Sequence, residues 1–310
     1  MLRAAASIAA ALAAASTVSG CGAERGTPYA GSGSAARAGS AAALLARPGP
    51  DLVLTPGTSD YGPGTLRFTF LLIDSHGRSI ERPTASVWVA RSLQSKPFAQ
   101  TVARLENVGV PGVSEAAAGD VTHLYVTHFR ADAPGRYYVV TEPVGGRRVQ
   151  GVADLEVKRR SKAPAVGAKA FPSRTPTLAS TGGDVEALTT RKPPDLGLLR
   201  YSVADSLAAH VPFVLAFATP AFCASRTCGP VVDVVDHVRK RIGSSRVRFI
   251  HVEIYENNQP PETNEWVKQW KLPSEPWIFL VGRDGRIKAR FEGSASAPEL
   301  EAAVRRHLLR

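Results

Sequence analysis

Cys223 and Cys228 stand where one hydrophobic periodicity gives way to another, and that change constrains the fold more than any other stretch of the chain. Upstream, Pro212-Phe-Val-Leu-Ala-Phe217 is a continuous apolar run, short enough to be a buried strand. Downstream, Val231, Val234, Val235, Val238 and Ile242 recur at helical spacing. Gly229-Pro230 suits the start of that helix, since proline's φ is already helical and the N–H it lacks has no partner there. A strand that runs out into two cysteines and then enters a helix is a way of presenting thiols. The alternation continues. Arg246-Val-Arg-Phe-Ile-His-Val-Glu-Ile254 reads as a strand, and residues 262–270 as a short helix with Trp266 and Trp270 one turn apart. Trp277-Ile-Phe-Leu-Val281 and Arg286-Ile-Lys-Ala-Arg-Phe291 flank a hairpin signal at Gly282-Arg-Asp-Gly285. Ser296 and Glu299 form a capping box around Pro298, opening a last helix whose face is Leu300, Ala303, Val304 and Leu308. Strands alternating with helices predict a mixed sheet with helices on its faces.

The third cysteine, Cys21, belongs to a different context. Arg3 precedes an apolar run from Ala4 to Ala15, too short for a bilayer span of about 20 residues but suited to the core of a signal peptide. The following Val18-Ser19-Gly20-Cys21 resembles a bacterial lipobox. That resemblance implies cleavage before Cys21, acylation of its thiol, and a bacterial protein lipid-anchored on the extracytoplasmic side of the cell membrane. Ordinary signal cleavage, with Cys21 incidental, is the alternative. Setting Cys21 aside leaves Cys223 and Cys228 as an even pair in an oxidising compartment.

A chain of 310 residues, 44% hydrophobic and 21% charged, can bury about two domains. Residues 1–20 read as the signal peptide, and the Gly/Ala/Ser-rich residues 21–50 as a flexible tether with little apolar surface to repay ordering. Residues 51–158 carry short β-rich runs separated by turn residues, the texture of an antiparallel sandwich. The runs are residues 66–73, 85–90, 121–128, 134–141 and 149–157, the last two joined as a hairpin at Gly145-Gly146. Pro134-Gly-Arg-Tyr137 entering a strand resembles small immunoglobulin-like domains of secreted bacterial proteins, which bind, space or brace. His123 and His128, five apart on one strand, face opposite ways and read as ordinary histidines. Residues 159–195 form a basic, proline-rich connector; residues 158–192 hold eight basic side chains against Asp184 and Glu186. This excess suits either a solubilising linker or contact with anionic headgroups or envelope polymer. It is not interleaved with aromatics as nucleic-acid binding would need, so no nucleic-acid partner is expected. Residues 196–310 form the last domain, whose opening segment begins near 165.

Strand, cysteine motif, helix, strand, helix, proline-led strand, hairpin and closing helix resemble the thioredoxin fold. Pro276 in Ser274-Glu-Pro-Trp-Ile matches the proline that this family holds cis beside its cysteines. The resemblance implies an immunoglobulin-like sandwich followed by an α/β thioredoxin-like domain, and a thiol–disulfide oxidoreductase acting on envelope or secreted proteins without a small-molecule cofactor. The chain departs from the family in two ways. Four residues separate its cysteines where the family has two, and the family's buried acid on the preceding strand is missing, since that strand reads Val214-Leu-Ala-Phe217. On one helix the two cysteines would point about 140° apart, so a disulfide between them needs residues 223–227 to be loop. Helix N-terminal amides and the Arg226 charge favour a thiolate over the thiol's ordinary pKa of about 8.5, with Cys223 attacking and Cys228 resolving. Pro276 and Trp277 would support the site, Trp277 either packing in the core or touching a polypeptide. Three further readings remain open: a permanent structural disulfide worth roughly 2 kcal/mol, a non-enzymatic binding or adhesion lipoprotein built around it, and copper delivery. Neither His251 nor His307 falls where copper-delivery relatives place a ligand, so no metal is expected.

Overall fold

Alternating side chains build the first half of the protein. In the computed structural model, which describes residues 36–114, 121–222, 228–243 and 245–309, with only the backbone of Cys228 and Gly229, β2 (Gly64–Ile73) turns Leu66, Phe68, Phe70 and Leu72 inward and fully buries them. With β1 (Asp51–Pro56), β3 (Thr84–Ala90), β4 (Ala99–Asn107), β5 (His123–Ala131), β6 (Gly135–Pro143) and β7 (Gln150–Val157) it closes a barrel in the order β1-β2-β5-β4-β3-β6-β7. All neighbours are antiparallel except β1 and β7, whose parallel pairing completes the ring. Phe68, Phe70, Tyr125 and Phe129 fill it, their ring centroids 5.1 to 6.0 Å apart. Tyr137 is buried with its hydroxyl donating to the Ala133 carbonyl at 2.6 Å.

The expected immunoglobulin-like sandwich is therefore corrected to a closed barrel. The five strands that alternation marks, β2, β3, β5, β6 and β7, would alone make two sheets, β2-β5 and β3-β6-β7. The remaining two join them at both sides, β1 pairing with β2 and β7 and β4 with β3 and β5. Both lack a strong apolar face: β1 buries only Leu52 and Leu54, and β4 only Ala103. The tether also ends earlier than expected, because α1 (Ala41–Leu45), capped by Ser40, packs on the barrel beside Ala90 and Val140.

The second half is a four-stranded sheet in the order β11-β10-β8-β9, from β8 (Phe213–Phe217), β9 (Arg248–Val252), β10 (Trp277–Val281) and β11 (Ile287–Glu292). β8 and β9 run parallel and the other pairs antiparallel. α3 (Cys228–Ile242) and α5 (Ala297–Leu308) share one face, where Val231, Val234, Val235 and Val238 meet Leu300 and Val304. The expected α/β thioredoxin-like domain is corrected as well, since helices are few. Among the described residues the other α-helices of this half are α2 (Val203–Ala208) and α4 (Glu265–Gln269), each short, and extended chain covers much of the second face. Pro164, Pro172 and Pro176 keep that chain from becoming helical. It docks on β11, with Gly167 N–H donating to Ile287 O at 2.8 Å and Ile287 N–H to Ala168 O at 2.9 Å. Among the described residues no helix is long and apolar enough to cross a membrane.

Barrel and sheet lie in one compact unit, Ala36–Arg310, and buried charge clamps them. The Glu292 carboxylate at the end of β11 accepts from Ser59 N–H and Oγ and from Asp60 N–H at 2.8 to 2.9 Å. Arg67, pointing out of β2, donates two 2.8 Å hydrogen bonds to the Glu299 carboxylate and one of 2.7 Å to Ser294 O. Ser296 caps α5 through Glu299 N–H at 3.2 Å, but the Glu299 side chain serves the barrel instead of closing the expected capping box. Gly293, at φ 70°, brings the backbones so close that a Cβ would stand 2.9 Å from Gly57 O. A second brace runs from the β4–β5 connection to α3, where Val110 joins the helix core and Ser114 Oγ donates to Asp233 at 2.8 Å.

Candidate functional site

β8 lies between β9 and β10 with all five residues buried, so whatever follows it emerges at one end of the sheet. The chain leaves through buried Thr219 and turns at Phe222, which is 40% exposed. Cys223 and Arg226 lie outside the described residues, as does Cys21; Cys228 is placed as the first residue of α3. Glu275-Pro276 is cis, and Pro276 is buried. Because Trp277 pairs with Phe217, Pro276 sits beside the point where β8 ends. Sheet topology thus sets Pro276 beside the end of β8, the strand from which the chain leads on to α3. Trp277 does not reach the surface. It is fully buried, stacked on Phe279 at 5.6 Å and under the Arg290 guanidinium at 5.3 Å, with its indole N–H donating to Ser274 Oγ. Trp270 is buried too, but packs on Phe217 and Phe279 rather than stacking on Trp266.

A polar cluster that sequence reasoning missed adjoins this end of the sheet. His251, in β9, is buried, with Nε2 3.0 Å from Ala218 O and Nδ1 3.4 Å from Thr189 Oγ1. Glu253, just past the end of β9 and two residues beyond His251, accepts from Thr190 N–H at 2.6 Å and Thr190 Oγ1 at 2.9 Å. Thr190 Oγ1 in turn accepts from Ala221 N–H at 3.1 Å. The connector, β9 and the segment leading to Cys223 are therefore tied through one threonine hydroxyl. The available signal was period-two spacing, which puts His251 and Glu253 on the side of Phe249, a face that a buried strand turns into the core. His307 lies on α5, away from this cluster. Among the described residues no three His, Cys, Asp or Glu side chains gather as a metal would require.

No protein-family model and no curated protein matches this chain.

The connector also holds α3 in place. Arg191 pairs with Asp233 at 2.8 Å, and Asp195 with Arg239 at 3.2 Å. Burial alone would push the Asp195 carboxyl up, but its hydrogen bond with Asp236, the Arg239 guanidinium, Gly197 N–H and Lys240 draw it down to about 2. Asp236 shifts the other way, raised first by burial and then by Asp195. A carboxyl with a depressed folded pKa stabilises the fold fully above its ordinary value near 3.8 and loses that contribution as pH falls towards about 2. The site is partly open to solvent, so the effect is screened. The stability difference between wild type and Asp195→Asn should therefore shrink by only about 1 kcal/mol between pH 5 and pH 2, measured by urea unfolding.

Proposed function

We propose that this protein exchanges disulfides with envelope or secreted proteins through Cys223 and Cys228, anchored outside the bacterial cell membrane by a lipid on Cys21. The reading rests on Cys228 opening α3, the helix that follows the interior strand β8 in the chain, and on buried Pro276 preceding the residue that pairs with the end of β8. The first-turn N–H groups of a 15-residue helix lack intrahelical partners, and the helix dipole favours negative charge there, so a thiolate is stabilised over a thiol. Exposed Phe222 offers an apolar contact next to Cys223.

In the reducing direction the Cys223 thiolate attacks one sulfur of a client disulfide, forming a mixed disulfide and releasing the client's other sulfur as thiolate. The Cys228 thiolate then attacks the Cys223 sulfur, which releases the second client thiolate and leaves a Cys223–Cys228 disulfide. The client gains the two electrons that the pair loses; the same steps reversed oxidise a client.

A Cys228→Ser variant is expected to accumulate mixed disulfides through Cys223, visible as dithiothreitol-sensitive adducts on non-reducing gels. No trapped client, together with a reduction potential below about −300 mV, would show the pair to be a structural disulfide and end this reading.

A further inference from the structure

A cavity of about 470 Å³ opens at the carboxyl end of β9, and its walls are acidic in a chain of net charge +11. Glu253, Glu256 and Glu265 line it with Asn257, Asn258 and Asn264, and no Lys or Arg is among its described lining residues. Acidic side chains alone would be a solvated surface, but Glu253 is 4% exposed and its Oε2 is buried without a hydrogen-bond partner. A buried carboxylate oxygen in that state is unfavourable until a donor or cation completes it.

The surrounding donors are committed elsewhere. Asn264 Nδ2 donates to the Glu253 backbone carbonyl at 2.6 Å, Asn258 Nδ2 to Glu186 O at 2.7 Å, and His251 Nε2 approaches Ala218 O at 3.0 Å. Asn257 and Asn258, at φ 51° and 54°, hold the wall in a left-handed conformation that asparagine tolerates. Among the described residues the protein therefore supplies acceptors and a shaped wall without a Lys or Arg, and His251 Nε2 stands 4.0 Å from Glu253 Oε1 rather than completing Oε2.

We propose that this cavity binds an organic cation, an ammonium or guanidinium group whose N–H donors complete Glu253. Half-buried Trp266 on the lining adds an aromatic face of the kind such cations prefer. A pocket of this size suits a small amine or one Lys or Arg side chain. The proposal is independent of the thiol reading, because no cysteine contributes to the cavity's described lining.

Calorimetric titration of the full chain distinguishes the sources. Agmatine serves as a free cation, N-acetyl-Gly-Arg-Gly-amide as a peptide-borne one, and the citrulline peptide as a neutral isostere. At least one guanidinium probe should bind about tenfold more tightly than citrulline, and Glu253→Gln should weaken it about tenfold, the worth of one charge-assisted contact. Tighter agmatine assigns a free cation, and tighter arginine peptide a polypeptide. Equal binding of the citrulline peptide, or no guanidinium binding at about 10 mM, overturns the proposal. Should Glu253→Gln fail to fold, Glu256→Gln/Glu265→Gln on the exposed part of the wall must still weaken binding about threefold, and unchanged affinity there would also overturn it.

Discussion

Glu292→Ala should lower the unfolding free energy by about 3 to 5 kcal/mol, as breaking a buried charge network does. The carboxylate is 9% exposed and accepts from Ser59 N–H, Ser59 Oγ, Asp60 N–H and Ser274 Oγ, each within 2.9 Å. Removing it strands the buried Asp60 N–H on the barrel and the half-buried Ser274 hydroxyl beside the sheet, at about 1 to 3 kcal/mol for each group that water cannot reach, while exposed Ser59 can turn to water. It also removes one of the two carboxylates whose charge offsets the burial that pushes the Arg290 guanidinium below its ordinary value. Glu292→Gln keeps the shape but turns an N–H₂ towards donors, so it should recover only part of the loss. By contrast, Arg78 is 74% exposed in its pair with Asp74, and Arg78→Ala should cost under about 1 kcal/mol. Guanidinium denaturation checks all three; a loss below about 1 kcal/mol in Glu292→Ala would mean the clamp contributes little.

Trp270→Ala is expected to cost a similar 3 to 5 kcal/mol by a different route, loss of apolar contact plus a cavity that its neighbours cannot fill. The ring is fully buried and lies 4.8 Å from Phe279, 5.5 Å from Phe217 and 5.7 Å from Phe171, centroid to centroid. It thus joins α4, two strands and the extended chain after the barrel, and its N–H donates to Ser173 Oγ at 2.9 Å. Trp270→Phe keeps most of the packing but leaves Ser173 without this donor, so about half the loss should remain. Because α4 carries Glu265 and Trp266, Trp270→Ala should also weaken cation binding. Near-native stability of the alanine variant, by denaturant unfolding, would show that this side of the sheet repacks freely.

Much of the local structure was legible in the sequence. The strands at Leu66, Val87, Tyr125, Tyr137 and Leu155, the valine face of α3, the hairpin at Gly282 to Gly285 and the Ser296 cap follow from relations between residues two to four apart. β1 and β4 were not legible, because their inward faces bury few apolar side chains, Leu52 and Leu54 in β1 and Ala103 in β4, while the apolar Val53 and Val102 point outward and blur the alternation. Missing them made a barrel look like a sandwich. α4 starts at Glu265, three residues later than the tryptophan spacing suggested, because Asn264 caps it by accepting from Val267 N–H.

The candidate site divides along the same line. Periodicity and composition alone determined that two cysteines sit between a buried strand and an amphipathic helix, with a proline-led strand to follow, because those are properties of neighbours in the chain. Only the tertiary structure decided that Trp277 is buried, that Glu253 lacks a partner for one oxygen, and that Ser59 closes on Glu292. The last pair is 233 residues apart in sequence. The state of a buried polar group depends on which distant donors reach it, and no local pattern encodes that.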